Sequence, residues 1–190
     1  NQVGQVTTVT SWNGWGLPLT ITDSNNISWN LSYDRLGRVK TIVQDAGSAR
    51  ATTTIDYNAV GDVIKITRPN GTYLQYTYDD ARRIIKVEDD SDATIEYDRD
   101  NLGNATGRRV KDAGGDLQLS QTATFDELGR LLTFVGSSNQ TWTHGYDKTS
   151  NQTSVTDPRS NVFYWGFDAL NRLISETDET GINVTLIRNG

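Results

Sequence analysis

The strongest constraint on this chain is a short phrase that returns along its length at nearly constant intervals. The phrase is an aromatic residue, Asp, two variable residues, Gly and Arg, and its fullest copies are Tyr33-Asp34-Arg35-Leu36-Gly37-Arg38 and Phe125-Asp126-Glu127-Leu128-Gly129-Arg130. Partial copies are Tyr57-Asn58 with Gly61, Tyr78-Asp79 with Arg83, Tyr146-Asp147 with Asn151, and Phe167-Asp168 with Arg172. Aligning on the Asp or Asn adds Trp12-Asn13 with Gly16 and Asp100 with Gly103. The anchors fall at 13, 34, 58, 79, 100, 126, 147 and 168, so five of the seven steps are 21 residues and the others are 24 and 26. Self-similarity of this kind defines a repeat architecture before any secondary structure is assigned. A second polar turn lies eleven residues before an anchor at Asp23, Arg68, Asp89 and Asp157; Asp178 opens the next, and Asn189 lies 21 residues after Asp168. The longer steps coincide with wider gaps from Asp45 to Asn58 and from Asp112 to Asp126. Their extra residues are expected to be loop insertions that leave the strands intact.

Each unit therefore reads strand, turn, strand, turn. At the anchor turn the Asp accepts hydrogen bonds from nearby backbone N–H groups, and the Gly three residues later supplies the positive φ that reverses the chain. The Arg four residues after the Asp begins the outgoing strand and lies back across the carboxylate. In a strand every second side chain faces the same side. Positions five, three and one before the anchors read Trp29, Leu31, Tyr33; Leu74, Tyr76, Tyr78; Trp142, His144, Tyr146; and Phe163, Trp165, Phe167. Positions six and eight after them read Leu19, Ile21; Ile64, Ile66; Ile85, Val87; and Leu132, Phe134. The residues between are mostly polar or small, so one face is apolar and the other polar. The expected fold is all-β: residues 1–190 form a single array of about eight units, folded as a continuous curved antiparallel sheet of about sixteen strands. Flat, such a sheet would be ~75 Å wide at the usual strand spacing. Open sheets of that width curl, so the array is predicted to be a β-solenoid-like arc of a spiral shell. Its two raw edges predict self-association through edge pairing.

Composition then excludes most chemistries. With no cysteine and one histidine, the chain offers no disulfide, thiolate zinc site, cysteine nucleophile or two-histidine metal centre. The net charge of −6 argues against a nucleic-acid surface. No run of about 18 apolar residues spans a membrane, and no cofactor site is expected. The hydrophobic fraction of 35% is thin for a two-layer core and suits a single sheet with one polar face. His144 occupies a position held elsewhere by Leu31, Tyr76 and Trp165 and reads as a packed residue of that row. Asp89-Asp90-Ser91-Asp92 lacks the glycine and distal glutamate of a calcium loop and reads as a solvated turn.

The phrases YDRLGR at Tyr33 to Arg38, FDELGR at Phe125 to Arg130, FDALNR at Phe167 to Arg172 and TDPRSN at Thr156 to Asn161 resemble the RHS/YD-repeat family. That family comprises the bacterial RHS proteins, the shell-forming component of Tc toxin complexes and the animal teneurins, and the resemblance covers about residues 12 to 190. It implies a β-strand shell spiralling into a cocoon, which in bacterial members encloses a C-terminal toxin. Asp157-Pro158-Arg159-Ser160 lacks the glycine of the family's DPxG-type autoproteolysis site, so neither autoprotease nor toxin activity carries over. Arg82, Ser150 and Asn171 stand where the pattern has Gly, so those turns are expected to be looser or of another type.

The leading functional expectation is a non-enzymatic shell module, exported or at the cell surface, whose partners are the rest of its own shell and an enclosed C-terminal toxin. The alternative, from a different class, is a carbohydrate-binding or adhesion repeat. Trp15, at a turn, is its candidate glycan contact, whereas Trp12, Trp29, Trp142 and Trp165 are assigned to core packing. An enzyme is the least favoured reading, because an Asp-rich array places carboxylates close together without forming a catalytic pair. Neither catalytic nor metal-binding residues are expected.

Overall fold

The computed structural model describes residues 6–46, 49–178 and 180–186. The chain divides into two compact units, Asn1–Thr94 and Ile95–Gly190. In the first unit the strands are β1 (Thr8–Trp12), β2 (Pro18–Thr22), β3 (Ser28–Tyr33), β4 (Val39–Ala46), β5 (Ala49–Tyr57), β6 (Val63–Thr67), β7 (Tyr73–Tyr78) and β8 (Ile84–Asp89). Beginning at the boundary are β9 (Thr94–Arg99), β10 (Ala105–Lys111), β11 (Leu117–Phe125), β12 (Leu131–Val135), β13 (Thr141–Tyr146), β14 (Gln152–Thr156), β15 (Val162–Phe167), β16 (Leu173–Thr177) and β17 (Asn183–Thr185). Among the described residues there is no helix, and the seventeen strands belong to one antiparallel sheet. Within each unit the strands that pair are neighbours in sequence, so each unit is a meander.

The meander is made by one turn used throughout. In all fifteen described connections with a five-residue turn, the first residue's N–H donates to the carbonyl four residues on, and the fourth residue's N–H donates back to the first residue's carbonyl. That is a type I turn closed by a residue in the left-handed region. The fourth residue has positive φ in every one: eight times it is Gly, and seven times it is Asn26, Arg82, Asp92, Asn139, Ser150, Ser160 or Asn171. The expectation of looser turns at Arg82, Ser150 and Asn171 is therefore corrected. Their φ values of 62°, 71° and 58° and their backbone bonds match those of the glycine turns. In thirteen of the fifteen, all but those opened by Arg68 and Gly136, the first residue is Asp or Asn, whose side chain supports the conformation by accepting from backbone N–H groups further along the turn. At Asp34, for example, the donors are Leu36 N at 2.8 Å and Arg38 N at 3.0 Å.

The two kinds of turn differ beyond their closing bonds. After the anchor turns the pairing slips by one residue, as between Ser32↔Thr41 and Tyr33↔Val39, or Thr124↔Thr133 and Phe125↔Leu131. The intervening turns mostly carry no slip, as in Ile21↔Trp29 and Thr22↔Ser28; the Asp112 turn is an exception, where Val110↔Leu119 is followed by Lys111↔Leu117. A bulge increases local twist, so each unit twists more on its anchor side. In a meander the anchor turns and the intervening turns fall at opposite ends of the strands.

The longer repeats also correct an expectation. Their extra residues lengthen strands rather than loops: β4 and β5 have 8 and 9 residues, and β10 and β11 have 7 and 9, against 5 and 6 in a regular repeat such as β2 and β3. Register is kept to the hairpin end, with Asp45↔Arg50 and Ala46↔Ala49 directly opposed. Residue 189 lies outside the described residues.

Alternation places the apolar rows as expected. In the first unit Ile21 faces Trp29, Leu31 faces Ile42, Ile66 faces both Ile55 and Leu74, and Tyr76 faces Val87. In the second, Phe134 faces Trp142, and Val155 faces both His144 and Phe163. Among the described residues of each unit no second layer covers these rows, and the most buried hydrophobic side chain, Val155, is still 9% exposed. The assignment of Trp12 and Trp142 to core packing is corrected accordingly, since they are 56% and 39% exposed. Trp29 and Trp165 are half-buried. A single sheet shields a ring only with its cross-strand and diagonal neighbours.

Candidate functional site

The repeat residues come together at the anchor-turn ends of the strands, where successive turns are joined to one another. Three components make the joint. The Tyr before the anchor reaches back one repeat in the first unit. Tyr33 Oη donates to the Pro18 carbonyl at 2.7 Å, Tyr57 Oη to Val39 at 2.9 Å and Tyr78 Oη to Val63 at 2.7 Å. The Arg four residues after the anchor grips its own Asp and then reaches forward one repeat. Arg38 Nε donates to Asp34 Oδ2 at 2.6 Å, and its guanidinium lies 4.4 Å from the Tyr57 ring centre. Arg130 does the same with Asp126 at 2.6 Å and the Tyr146 ring at 4.7 Å, and its Nη1 donates to the Asp147 carbonyl at 3.0 Å. In the other two complete pairs Arg83 holds Asp79 and Arg172 holds Asp168, each through Nε at 2.7 Å.

The third component is the contact between the residue four after one anchor and the residue three after the next. Here the departures from the sequence pattern find their reason. Arg82 Nε donates to Asp62 Oδ1 at 2.8 Å, so the third-repeat Asp that replaces Arg is answered by an Arg that replaces Gly in the following anchor turn. Ser150 Oγ accepts from Arg130 Nη1 at 3.2 Å, and Asn171 Oδ1 accepts from Asn151 Nδ2 at 2.9 Å. Each non-glycine residue occupies a left-handed position that costs an L-amino acid roughly 1–2 kcal/mol, and each lends a side chain to the turn before it. Sequence reading treated these three residues as defects of the motif; the signal that identifies them is the 20-residue separation from a partner of matching chemistry.

Electrostatics follow the same geometry. The backbone N–H of Arg130 holds the Asp126 carboxyl below the usual carboxylate range, with its guanidinium adding to the effect. Backbone donation by Arg83 and Arg172 does the same for Asp79 and Asp168. Asp34 is pulled down as well: burial, the largest single influence, pushes it up, but the Arg38 backbone and guanidinium together outweigh it. Asn58, Asp100 and Asp147 pair instead with Asp62, Asn104 and Asn151 through Asn side-chain N–H groups at 2.8–3.0 Å. Asn13 Oδ1 accepts from Trp15 N and Leu17 N, both at 2.9 Å. Gly16, Gly37, Gly61, Gly103 and Gly129 supply the positive φ at their turns, and Phe125 and Phe167 fill the aromatic position without a hydroxyl. At Asp89 the acidic cluster forms an ordinary turn, with Oδ1 accepting from Ser91 N at 2.9 Å and Ser91 Oγ at 2.7 Å.

One row escaped the sequence reading. The residue two after the anchor is exposed and usually large and apolar: Trp15, Leu36 and Val60 in the first unit, Leu102, Leu128 and Leu170 in the second. Leu36 reaches 74% exposure. The corresponding residues of the intervening turns, Asn25, Asn70, Ser91, Gly114, Ser138, Arg159 and Thr180, include no large apolar side chain. Trp15 is exposed as expected and shares an open cleft with Arg35 and Leu36.

Repeated hairpins, turns bonded from one repeat to the next and one apolar row at the anchor-turn ends define a structural repeat protein of the YD type. The chain belongs to the Teneurin YD-shell family, whose model matches residues 16–185. Among curated proteins it is 30% identical over 177 residues to the probable deoxyribonuclease RhsA of Dickeya dadantii and 29% identical over 177 residues to RhsB of the same bacterium. Both alignments cover 90% of this chain and 12% of the relative, so the chain spans about one-eighth of the length of these relatives. Among solved structures it is similar to a TcdB2-TccC3-TEV crystal structure, with a TM-score of 0.70 and 20% identity over 90% of this chain and 10% of that one. It is also similar to the Photorhabdus luminescens Tc holotoxin pore, with a TM-score of 0.66 and 16% identity over 90% of this chain and 12% of that one. These likenesses concern the fold.

Proposed function

We propose that this chain is a stretch of wall in an exported, toxin-enclosing YD shell and performs no chemistry itself. The observation that carries the reading is where the side chains are used. The carboxylates and guanidiniums at the anchor turns are spent on holding one turn to the next. The exposed Trp15, Leu36 and Val60 of the first unit and Leu102, Leu128 and Leu170 of the second support contact with further repeats of the same wall, since large apolar side chains recur at the anchor turns and are missing from the intervening ones. The test is limited proteolysis of a full-length protein containing this segment, with and without residues 6–186. Faster cleavage of the region after the repeats on deletion is expected; unchanged protection contradicts the proposal.

A second reading is carbohydrate contact at Trp15, supported by its 67% exposure beside Arg35 and Leu36. Glycan-array binding abolished by Trp15→Ala is its expected signature, and an array without binding removes it.

A further inference from the structure

A wall of equivalent repeats has no structural need to break its own apolar face, yet β9 to β11 break it at three positions. The residue before the anchor is Arg99 where other repeats carry Tyr or Phe, with Trp12 in the first. Eight residues after the anchor stands Arg108, where six other repeats carry Ile21, Ile42, Ile66, Val87, Phe134 and Val155 and the last carries the acidic Glu176, so Arg108 is the one cation of the row. Opposite Arg108 in the ladder is Gln121, at the position held by Trp29, Leu74, Ile95, Trp142 and Phe163 in five other repeats and by Thr8 and Thr53 in two.

Two of these substitutions converge. Arg108 and Gln121 line one open cavity of about 300 Å³ whose other walls include Tyr97, Ala123, Phe125 and Phe134, a volume at the lower end of the range for ligand sites. Phe134 lies directly opposite Ala123, two residues from Gln121, so the guanidinium, the amide and the aromatic wall share one face. Among the described residues Arg108 has a neutral hydrogen-bond partner, the Gln121 Oε1 that accepts from its Nη1 at 3.2 Å. The Nε and Nη2 edge of the fork is left for a planar anion. Arg99 lies outside the cavity lining, with Nη1 donating to the Gly103 carbonyl at 3.1 Å and its guanidinium 5.8 Å from the Tyr97 ring centre. The carboxylates of the same hairpin are engaged elsewhere: Glu96 accepts from Lys111 Nζ at 2.9 Å and Asp98 from Arg109 Nη2 at 2.8 Å.

We infer that this cavity is a docking site for a polypeptide segment of a partner that carries an Asp or Glu beside a large apolar side chain. The carboxylate pairs with the Nε–Nη2 edge of Arg108, the bidentate geometry that Arg offers planar anions. The neighbouring side chain lies between Tyr97 and Phe134. The partner's chemistry follows from charge complementarity: in a chain of net charge −6, a guanidinium on an apolar face selects an acidic group arriving with apolar company. The site stands whether or not the parent protein encloses a toxin.

The test uses the full 190-residue chain and two probes, the blocked tetrapeptide Leu-Phe-Asp-Leu and its Leu-Phe-Asn-Leu counterpart, read by amide chemical shifts. The Asp peptide is expected to saturate below about 10 mM, with shifts confined to β9–β12 and affinity about tenfold above that of the Asn peptide. Arg108→Leu restores the aliphatic residue of the other repeats and so keeps the fold; it is expected to erase the tenfold difference. Failure of both peptides to bind, equal binding of the two, shifts centred elsewhere or an unchanged preference in Arg108→Leu would each overturn the inference.

Discussion

Glycine is not what bends these turns, and a pair of substitutions in the second unit tests that statement in both directions. Gly129 has φ of 76° and Ser160 has φ of 68°, at the same position of equivalent turns. A Cβ at Gly129 would meet Asn104 Oδ1 at 3.5 Å, an ordinary contact, so Gly129→Ala adds only the cost of an L-residue in the left-handed region. That cost is roughly 1–2 kcal/mol; the reduced freedom of the unfolded chain returns about 0.4–1 kcal/mol. A net loss of about 1 kcal/mol remains, equivalent to a fall in Tm of about 2–4 °C for a chain of this size. Ser160→Gly runs the same cycle backwards and is expected to be stabilising, by about 0.5 kcal/mol. Urea titration followed by circular dichroism reads both as shifts of midpoint at constant slope. If Gly129→Ala were neutral and Ser160→Gly destabilising, the left-handed residue would not be imposed by the turn's hydrogen bonds, and the common geometry of the fifteen turns would need another cause.

Further outcomes follow from the joints between turns. Tyr57→Phe removes the bond to the Val39 carbonyl and is expected to cost about 1 kcal/mol in the same titration, leaving the Arg38 contact in place. Gly107→Ala drives a Cβ into the Asp98 carboxylate and is expected to destabilise by about 1–3 kcal/mol; adding Asp98→Ala should recover part of that loss, and a strictly additive double mutant would refute the clash. Acid sensitivity has a defined sign. Asp79, Asp126, Asp168, Glu96 and Asp98 are all held below their ordinary values in the folded chain. Their contribution is therefore complete above the unfolded values near pH 4 and lost as pH falls through the lower folded ones. Stability is expected to be level from about pH 7 to 5 and to drop below pH 4; a decline already complete at pH 5 would contradict the assignment.

The repeat was legible in the sequence because its period is set by backbone hydrogen bonding, which recurs whatever the side chains. The Asp or Asn of each anchor announces the turn, and alternation from Trp29 to Tyr33 or Phe163 to Phe167 announces the strand. The partners across repeats were not legible: Arg82 looks like a lost glycine until Asp62 is seen beside it. Likewise the extra residues before Asn58 and Asp126 read as loops because polar runs such as Ala51 to Thr54 look the same in a turn as on a solvated strand. The exposed tryptophans were misjudged because alternation tells which face a ring takes and not whether anything covers that face. Gln121 and Arg108 show only as irregularities in sequence; their convergence depends on the register of β10 against β11.

Twenty-one residues form one interchangeable unit of the ladder, and a deletion in the second unit tests this directly. Deleting residues 126–146 joins Phe125 to Asp147 and leaves every remaining anchor preceded by its own strand. The shortened chain is expected to fold with two fewer strands, its remaining positive-φ residues and the amide resonances of β15 to β17 unchanged, whereas deleting half a unit reverses strand direction and disrupts the second unit. A 21-residue deletion that unfolds the second unit as thoroughly as the half-unit deletion would contradict the claim.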